Sequence, residues 1–268
     1  MPELAEVEAV RQRIDSRLKK RKIKEIVADP SDRYLFAFAS ISDVTKALKN
    51  ATVIGTGRKG KYFWIELNKK PWPLFHLGMT GDIIILDEKT EKERLWFCRL
   101  ILKFDKGLEM AFIDPRRFGR MWLTDDPKTH PRIQKLGFDP LIDFPNVKVL
   151  SEKLQRRKKA IKAVLLDQNL FAGVGNWLAD EILFQAKLSP HHLACDLTPS
   201  QIKALHKQVL AVVKKAVSVN ADYTRFPKAW LFHHRWGKKK NAQTSRGHKI
   251  IHQEVGGRTT AWVPGYQK

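Results

Sequence analysis

Cysteine is nearly absent from this sequence: among 268 residues only Cys98 and Cys195 occur, and they lie far apart. Two distant thiols supply neither a disulfide framework nor a thiolate metal cluster, which fits a reducing compartment. Long apolar runs are missing too. No stretch approaches the about 18 uninterrupted apolar residues of a membrane span, and Glu3, Glu6, Glu8 and Arg11 stand where a secretory signal needs an apolar run. The expectation is a soluble, intracellular protein. Acid is scarce beside base: 28 Asp and Glu face 50 Lys and Arg, a formal net charge of +22. That imbalance points to a polyanionic partner. Composition alone leaves a ribosome-associated or generally basic protein as the alternative, so the motifs must decide. There is no long internal repeat or low-complexity segment.

What is present falls into two patterns. Leu4, Val7, Val10, Ile14 and Leu18 recur at helical spacing, so a first amphipathic helix is expected to about Lys20. Strand-like runs follow: KIKEIVAD, ATVIGTGRKGKYFWIEL, WPLFHLGM, DIIILD, LWFCRLILKF and LEMAFID. Short β-branched and aromatic runs at this density predict a β-sandwich or barrel. From about residue 151 the periodicity becomes helical, in KLQRRKKAIKAVLLDQ, NWLADEILFQAKL and TPSQIKALHKQVLAVVKKAVSV. The last begins with Thr198 as N-cap and Pro199 at the first helical position. HPRIQKLGFDPLIDFP between the halves reads as the linker, and HKIIHQEV with RTTAWVP about Gly256-Gly257 reads as a β-hairpin.

Pro2 and Glu3 make an ordinary helix start. They also carry chemistry. An α-amine has a reference pKa of roughly 8 against roughly 10.4 for lysine, so an N-terminal nitrogen is a ready nucleophile for Schiff-base formation. A neighbouring carboxyl acts as general acid where burial raises its pKa.

Five segments occur in order: MPELAEVEAV, GRKGKYFWIEL, HLGMTG, DPRRFGR and KKAIKAVLLDQNLFAGVGNWLADEILF. Together they resemble the formamidopyrimidine-DNA glycosylase and endonuclease VIII family over nearly the whole chain. The resemblance implies an α+β fold of two domains. An N-terminal β-sandwich flanked by helices would be followed by a helix-two-turn-helix bundle carrying a β-hairpin finger, with DNA between them. It implies removal of Met1, Pro2 as nucleophile on C1′ of a damaged nucleotide, Glu3 as acid and Lys61 as a supporting acid. Met79, Arg116 and Phe118 match the set that fills the space left by an extruded base, which costs a few kcal/mol to flip. Lys162 and Asn176, with Arg157 beside them, match phosphate contacts. The glycines of GVGN would let the backbone approach a phosphate at the N-terminus of the following helix.

The chain departs from the family in two places. Most members close with a four-cysteine zinc finger, and no cysteine follows Cys195 here. His233, His234, His248 and His252 lack accompanying thiolates, so no metal or other cofactor is expected. The better match is the zincless finger of some relatives, with Arg258 gripping a phosphate and assisting the second elimination. Ala5 stands where the common family start has a second proline, which bears on the entry geometry of the first helix.

The resulting expectation is a monomeric bifunctional DNA glycosylase and apurinic/apyrimidinic lyase. It would remove formamidopyrimidines, hydantoins and 8-oxoguanine from double-stranded DNA, and would work in the cytoplasm or nucleoid, nucleus or organelle that holds it. The alternatives are an endonuclease VIII-like enzyme for oxidised pyrimidines and a non-catalytic damaged-DNA-binding protein. The expected divisions are 1–128 for the catalytic sandwich, 129–150 for the linker, 151–222 for the helix-two-turn-helix domain and 223–268 for a lesion-proximal loop and the finger.

Overall fold

The computed structural model describes residues 1–87, 96–237 and 241–268. Leu95, the first residue of the expected strand LWFCRLILKF, lies outside them. The described chain forms two compact bodies. One comprises Met1–Pro2 and Glu6–Gln134, and the other Glu3–Ala5 and Lys135–Lys268.

The first body is a β-sandwich. One antiparallel sheet has the order β1 (Ile23–Ala28), β6 (Cys98–Phe104), β7 (Glu109–Ile113), β5 (Asp82–Leu86). The other has the order β2 (Val53–Lys59), β3 (Tyr62–Leu67), β4 (Trp72–His76), β8 (Arg120–Thr124). Their inner faces share one core, in which Phe63 and Phe75 stack at 5.1 Å and Phe75 meets Phe112 of the opposite sheet at 6.0 Å. Helix α1 (Leu4–Leu18) contributes Val7, Val10, Ile14 and Leu18 to that core, the spacing the sequence predicts.

Three elements here are absent from the sequence reading, one of them the single-turn helix α3 (Pro131–Gln134) within the expected linker. Helix α2 (Ile41–Leu48) is short, starts at Ser40, whose hydroxyl accepts from the Asp43 N–H, and buries only Val44, Ala47 and Leu48. Strand β8 follows directly on DPRRFG and gains its definition from the distant β4, with Leu74 opposite Trp122.

The second body is built on helices α4 (Val147–Gln155), α5 (Ile161–Leu166), α6 (Asn176–Ala186) and α7 (Pro199–Ser218) around a core that includes Leu4 and Ala5. A continuous helix through KLQRRKKAIKAVLLDQ does not form. Residues 156–160 leave the helical path, because the Lys159 carbonyl accepts from the Ala194 N–H at 2.9 Å and Ile161 N–H donates to the His192 carbonyl at 2.7 Å. Four consecutive cations there add repulsion that a helix would concentrate. Helix α7 has the predicted start: the Thr198 hydroxyl accepts from the Gln201 N–H, and Gln201 accepts in return from the Thr198 N–H at 2.9 Å.

The expected hairpin is present as β9 (Ile251–Val255) and β10 (Arg258–Trp262), with Val255 opposite Arg258. Gly256 and Gly257 have φ of 62° and 72°, the left-handed pair that a two-residue turn of this kind needs. Phe184, Leu231, Ala242, Ile250, Ala261 and Val263 form a small apolar core beneath it. The four histidines have protein partners or neighbours: His252 Nε2 lies 3.0 Å from the Arg235 carbonyl, His233 Nε2 3.3 Å from that of Phe226, His234 against His233, and His248 stacks on Tyr266.

Candidate functional site

The residues singled out by the sequence fall into three groups, two in the sandwich and one in the helical body. Lys61 occupies the turn between β2 and β3, where Gly60 takes the first central position at φ 57°. The turn is braced from α1. Arg58 donates to the Gly60 carbonyl at 3.0 Å and to Glu8 at 2.9 Å, and Arg11 also grips Glu8. Burial by itself would raise the Glu8 carboxyl, but the two guanidinium groups outweigh it and hold the group below the usual carboxylate range. His76, near Lys61, is pushed down to about 4 by burial and then by Lys61, Arg132 and Arg120. Its ring is therefore neutral at pH 7, and Nδ1 accepts from the Gly78 N–H at 3.1 Å.

Met79, Arg116 and Phe118 are brought to one place. A Cβ at Gly78, φ 66°, would lie 2.4 Å from the Phe118 carbonyl carbon, so the Met79 turn rests directly on the Phe118-Gly119 backbone. The Arg116 guanidinium sits 5.0 Å from the centre of the Phe118 ring. Met79 and Phe118 are 37% and 44% exposed, which removes them from the core that apolar residues beside strands usually join. A single buried carboxylate organises the group. Asp114 accepts from the Thr80 hydroxyl at 2.8 Å, the Gly119 N–H at 2.6 Å and the Arg116 N–H at 3.3 Å. Asp114 and Thr80 escaped the sequence reading because 34 residues separate them.

In the helical body, the buried carboxylate of Glu3 is planted on the N-terminus of α6. It accepts from the N–H groups of Gly175, Trp177 and Leu178 at 2.9, 2.9 and 3.1 Å. Leu4 N–H donates to the Gly173 carbonyl at 3.0 Å, tying down the chain beside it. These amides are the ones the sequence reading leaves open for a phosphate, so that expectation is corrected: the protein's own carboxylate fills the helix-terminal anion site. Gly175 is glycine for the same reason, since a Cβ there would lie 2.3 Å from the Glu3 carboxyl carbon. Pro2, immediately before Glu3, is half-buried.

Lys162 lies in the same body. It is fully buried, and its ammonium donates to the Asn176 carbonyl at 2.9 Å and to Asp180. Burial pushes the group below the usual lysine range, and Asp180 pulls it part of the way back. Asp180 also accepts from Arg235, at 2.6 and 3.1 Å, and from the Ala261 N–H at 3.1 Å. Removing one member of such a buried charge cluster costs about 3–5 kcal/mol. Asp180 and Arg235 are absent from the sequence reading, although an Asp-Glu pair inside the apolar helix NWLADEILF is a recognisable sign of buried carboxylates.

Asn176 donates from Nδ2 to the Thr259 carbonyl at 2.9 Å, while its Oδ1 is buried and makes no hydrogen bond. Arg157 is half-exposed, 3.6 Å from Asp167. Arg258 is exposed, at the first position of β10. In the loop VNADYTRFPKAW, Phe226 and Trp230 are buried, with ring centres 5.0 Å apart and planes tilted by 46°, while most of the residues around them are exposed. No helix among the described residues is long and apolar enough to cross a membrane.

Comparison with known proteins agrees with this layout. Residues 1–121 match the formamidopyrimidine-DNA glycosylase N-terminal domain, and residues 136–228 match the formamidopyrimidine-DNA glycosylase H2TH domain. A formamidopyrimidine-DNA glycosylase of Arabidopsis thaliana is 38% identical over 100% of this chain and 71% of its own length. The Lactococcus lactis enzyme, bound non-covalently to DNA containing an AP site, superposes with a TM-score of 0.85 at 30% identity, covering 99% of both chains. The wild-type Lactococcus enzyme in complex with N7-benzyl-Fapy-dG DNA has a TM-score of 0.83 at 30% identity over 100% of both chains.

Proposed function

The chain belongs to the formamidopyrimidine-DNA glycosylase family, and from that premise we propose how its own residues perform the reaction. It is a DNA glycosylase of base-excision repair with apurinic/apyrimidinic lyase activity, a member of the formamidopyrimidine branch and an enzyme rather than a bare binder. Its substrate class is double-stranded DNA carrying formamidopyrimidines, hydantoins, 8-oxoguanine or abasic sites. The Lactococcus relatives bound to AP-site and Fapy-containing DNA support that choice. Its workplace is the compartment that holds that DNA.

With Met1 removed, the Pro2 nitrogen attacks C1′ of the damaged nucleotide. The C1′–base bond breaks, the departing base takes up a proton, and opening of the sugar leaves an iminium between Pro2 and C1′. That cation acidifies the C2′ proton. Its loss drives β-elimination, which breaks the C3′–O bond and releases the 3′ phosphate. A second elimination breaks the C5′–O bond, and hydrolysis of the iminium returns the amine. The reaction's central covalent step is thus nucleophilic catalysis by a secondary amine.

The observation that carries this reading is the seat of Glu3. Three N–H donors hold the Glu3 carboxylate one residue from Pro2, where, in place of the acid role expected from the sequence, it anchors the first turn and supplies a fixed counter-charge for the iminium. Lys61, braced by Arg58, serves as the supporting acid. Met79, Arg116 and Phe118 fill the extruded base's place, and Arg258, Asn176 and Arg157 meet phosphates. Borohydride reduction during incubation with lesion DNA tests the proposal. A covalent protein–DNA adduct that disappears in Pro2→Gly is expected, and an adduct that persists unchanged in that variant refutes the assignment.

A further inference from the structure

The finger hairpin has no metal ligands of its own among the cysteines, yet its tip carries Arg258, whose placement the chemistry requires. Three contacts join it to the helices of the same body. Ala261 N–H in β10 donates to Asp180 at 3.1 Å, the Thr259 carbonyl accepts from Asn176 at 2.9 Å, and Gly256 rests on α5. A Cβ at Gly256 would lie 2.7 Å from that of Ala163. Asn176 and Asp180 are four residues apart on α6, so both face the hairpin.

Asp180 is the junction. One oxygen takes the Lys162 ammonium, and the other takes both the Arg235 guanidinium and the β10 amide. Lys162 in turn donates to the Asn176 carbonyl, in the helical turn whose amides hold Glu3. The Arg235 carbonyl lies 3.0 Å from His252 Nε2 in β9, and its guanidinium lies 4.6 Å from the Trp236 ring centre. One buried cluster therefore grips both finger strands and the first turn of α6.

We propose that the Lys162–Asp180–Arg235 cluster is a metal-free clamp that sets Arg258 in register with the α6 terminus holding Glu3, and that Asp180 and Arg235 are positioning residues for the second elimination. The charges fit that role. Two cations meet one carboxylate at the junction, and Glu3 supplies the second negative charge nearby, acting on Lys162 through space. A purely stabilising core would be better served by apolar residues, because desolvating ions offsets their attraction. Directional contacts instead fix geometry, and here two nitrogens of the planar Arg235 guanidinium converge on one Asp180 oxygen.

This inference rests on the role assigned to Arg258 above, and the test separates the two. Arg235→Met, Arg235→Lys and Arg258→Gln are compared with the wild type on abasic-site duplex DNA. The measurements are borohydride trapping, the ratio of δ- to β-elimination product, and amide hydrogen exchange at Ala261. Arg235→Met is expected to keep trapping, to lower the δ/β ratio about tenfold, the scale of a sub-ångström to one-ångström misplacement, and to lose protection at Ala261. Arg235→Lys falls between, since it keeps the charge and loses the fork, and it carries the test if the methionine variant does not fold. An Arg235 variant with native Ala261 protection, or with an unchanged ratio where Arg258→Gln lowers it, overturns the clamp. An unchanged ratio in Arg258→Gln itself refutes the Arg258 assignment, and Ala261 exchange then decides the clamp alone.

Discussion

Gly175→Ala is the substitution for which the structure makes the sharpest demand. The added Cβ would stand 2.3 Å from the Glu3 carboxyl carbon and 2.4 Å from one of its oxygens, so the carboxylate must shift within its seat. The backbone itself does not object, because φ −122° and ψ −160° suit any residue. Hydrogen bonds to a charged group are worth about 1.5–3 kcal/mol each, and overpacking a rigid site costs about 1–3 kcal/mol. Loss of one of the three bonds with modest strain gives about 3 kcal/mol, a fall in Tm of about 6–12 °C for a domain of this size. Borohydride trapping should slow alongside, since the first turn loses its anchor. Gly265→Ala, with nothing within 4 Å of its Cβ, is the control and should melt like the wild type. A double-mutant cycle identifies the cause: in a Glu3→Ala background the same Gly175 substitution should cost less than about 1 kcal/mol, near the ordinary price of alanine at a helix N-cap. Equal penalties in both backgrounds would refute the reasoning.

Other consequences are as direct. Met79→Ala and Phe118→Ala, at exposed positions, should change stability by less than about 0.5 kcal/mol while slowing excision from duplex DNA, measured by melting and single-turnover kinetics. A large loss of stability would return these side chains to the core. Asp114→Ala should release the Arg116 loop and slow duplex excision about tenfold, with single-stranded abasic DNA cleaved nearly as before, because only the duplex requires base extrusion. Glu181 is raised to about 7 by burial, against 4.5 when exposed. Between those values the unfolded chain has released the proton that the folded chain still holds, so stability falls as pH rises from 4.5 to 7 and is level above. The loss approaches about 3 kcal/mol. Glu181→Gln should flatten the curve of Tm against pH over that window, whereas parallel curves would show that Glu181 does not titrate there.

What the sequence discloses and what it hides follows from range. The Gly256-Gly257 turn, the Thr198 cap and the apolar stripe of α1 are local patterns, and each stands where the residues predict. The short α2, strand β8 and the break after Gln155 are set by partners far along the chain, such as Trp72 opposite Thr124 and Lys159 bonded to Ala194. Site residues divide the same way. Lys61, Met79, Arg116 and Phe118 are legible because each stands in a short, distinctive motif. Glu3 on the α6 amides, Asp114 beneath Thr80 and Asp180 between Lys162 and Arg235 are contacts over 172, 34 and 18 residues or more, which no local pattern encodes. The glycines of GVGN illustrate the limit well: the residue type was readable as a close approach, while the group that approaches Gly175 proved to be a carboxylate of the same chain.

The central claim is that the Pro2 nitrogen forms the bond to C1′. The most direct measurement is peptide mass spectrometry of the borohydride-reduced complex with abasic-site DNA. The account predicts the sugar mass on an N-terminal peptide that begins at Pro2, with fragment ions placing it on that nitrogen. The same mass on Lys61 or another lysine, or on a chain that still begins at Met1, would contradict it.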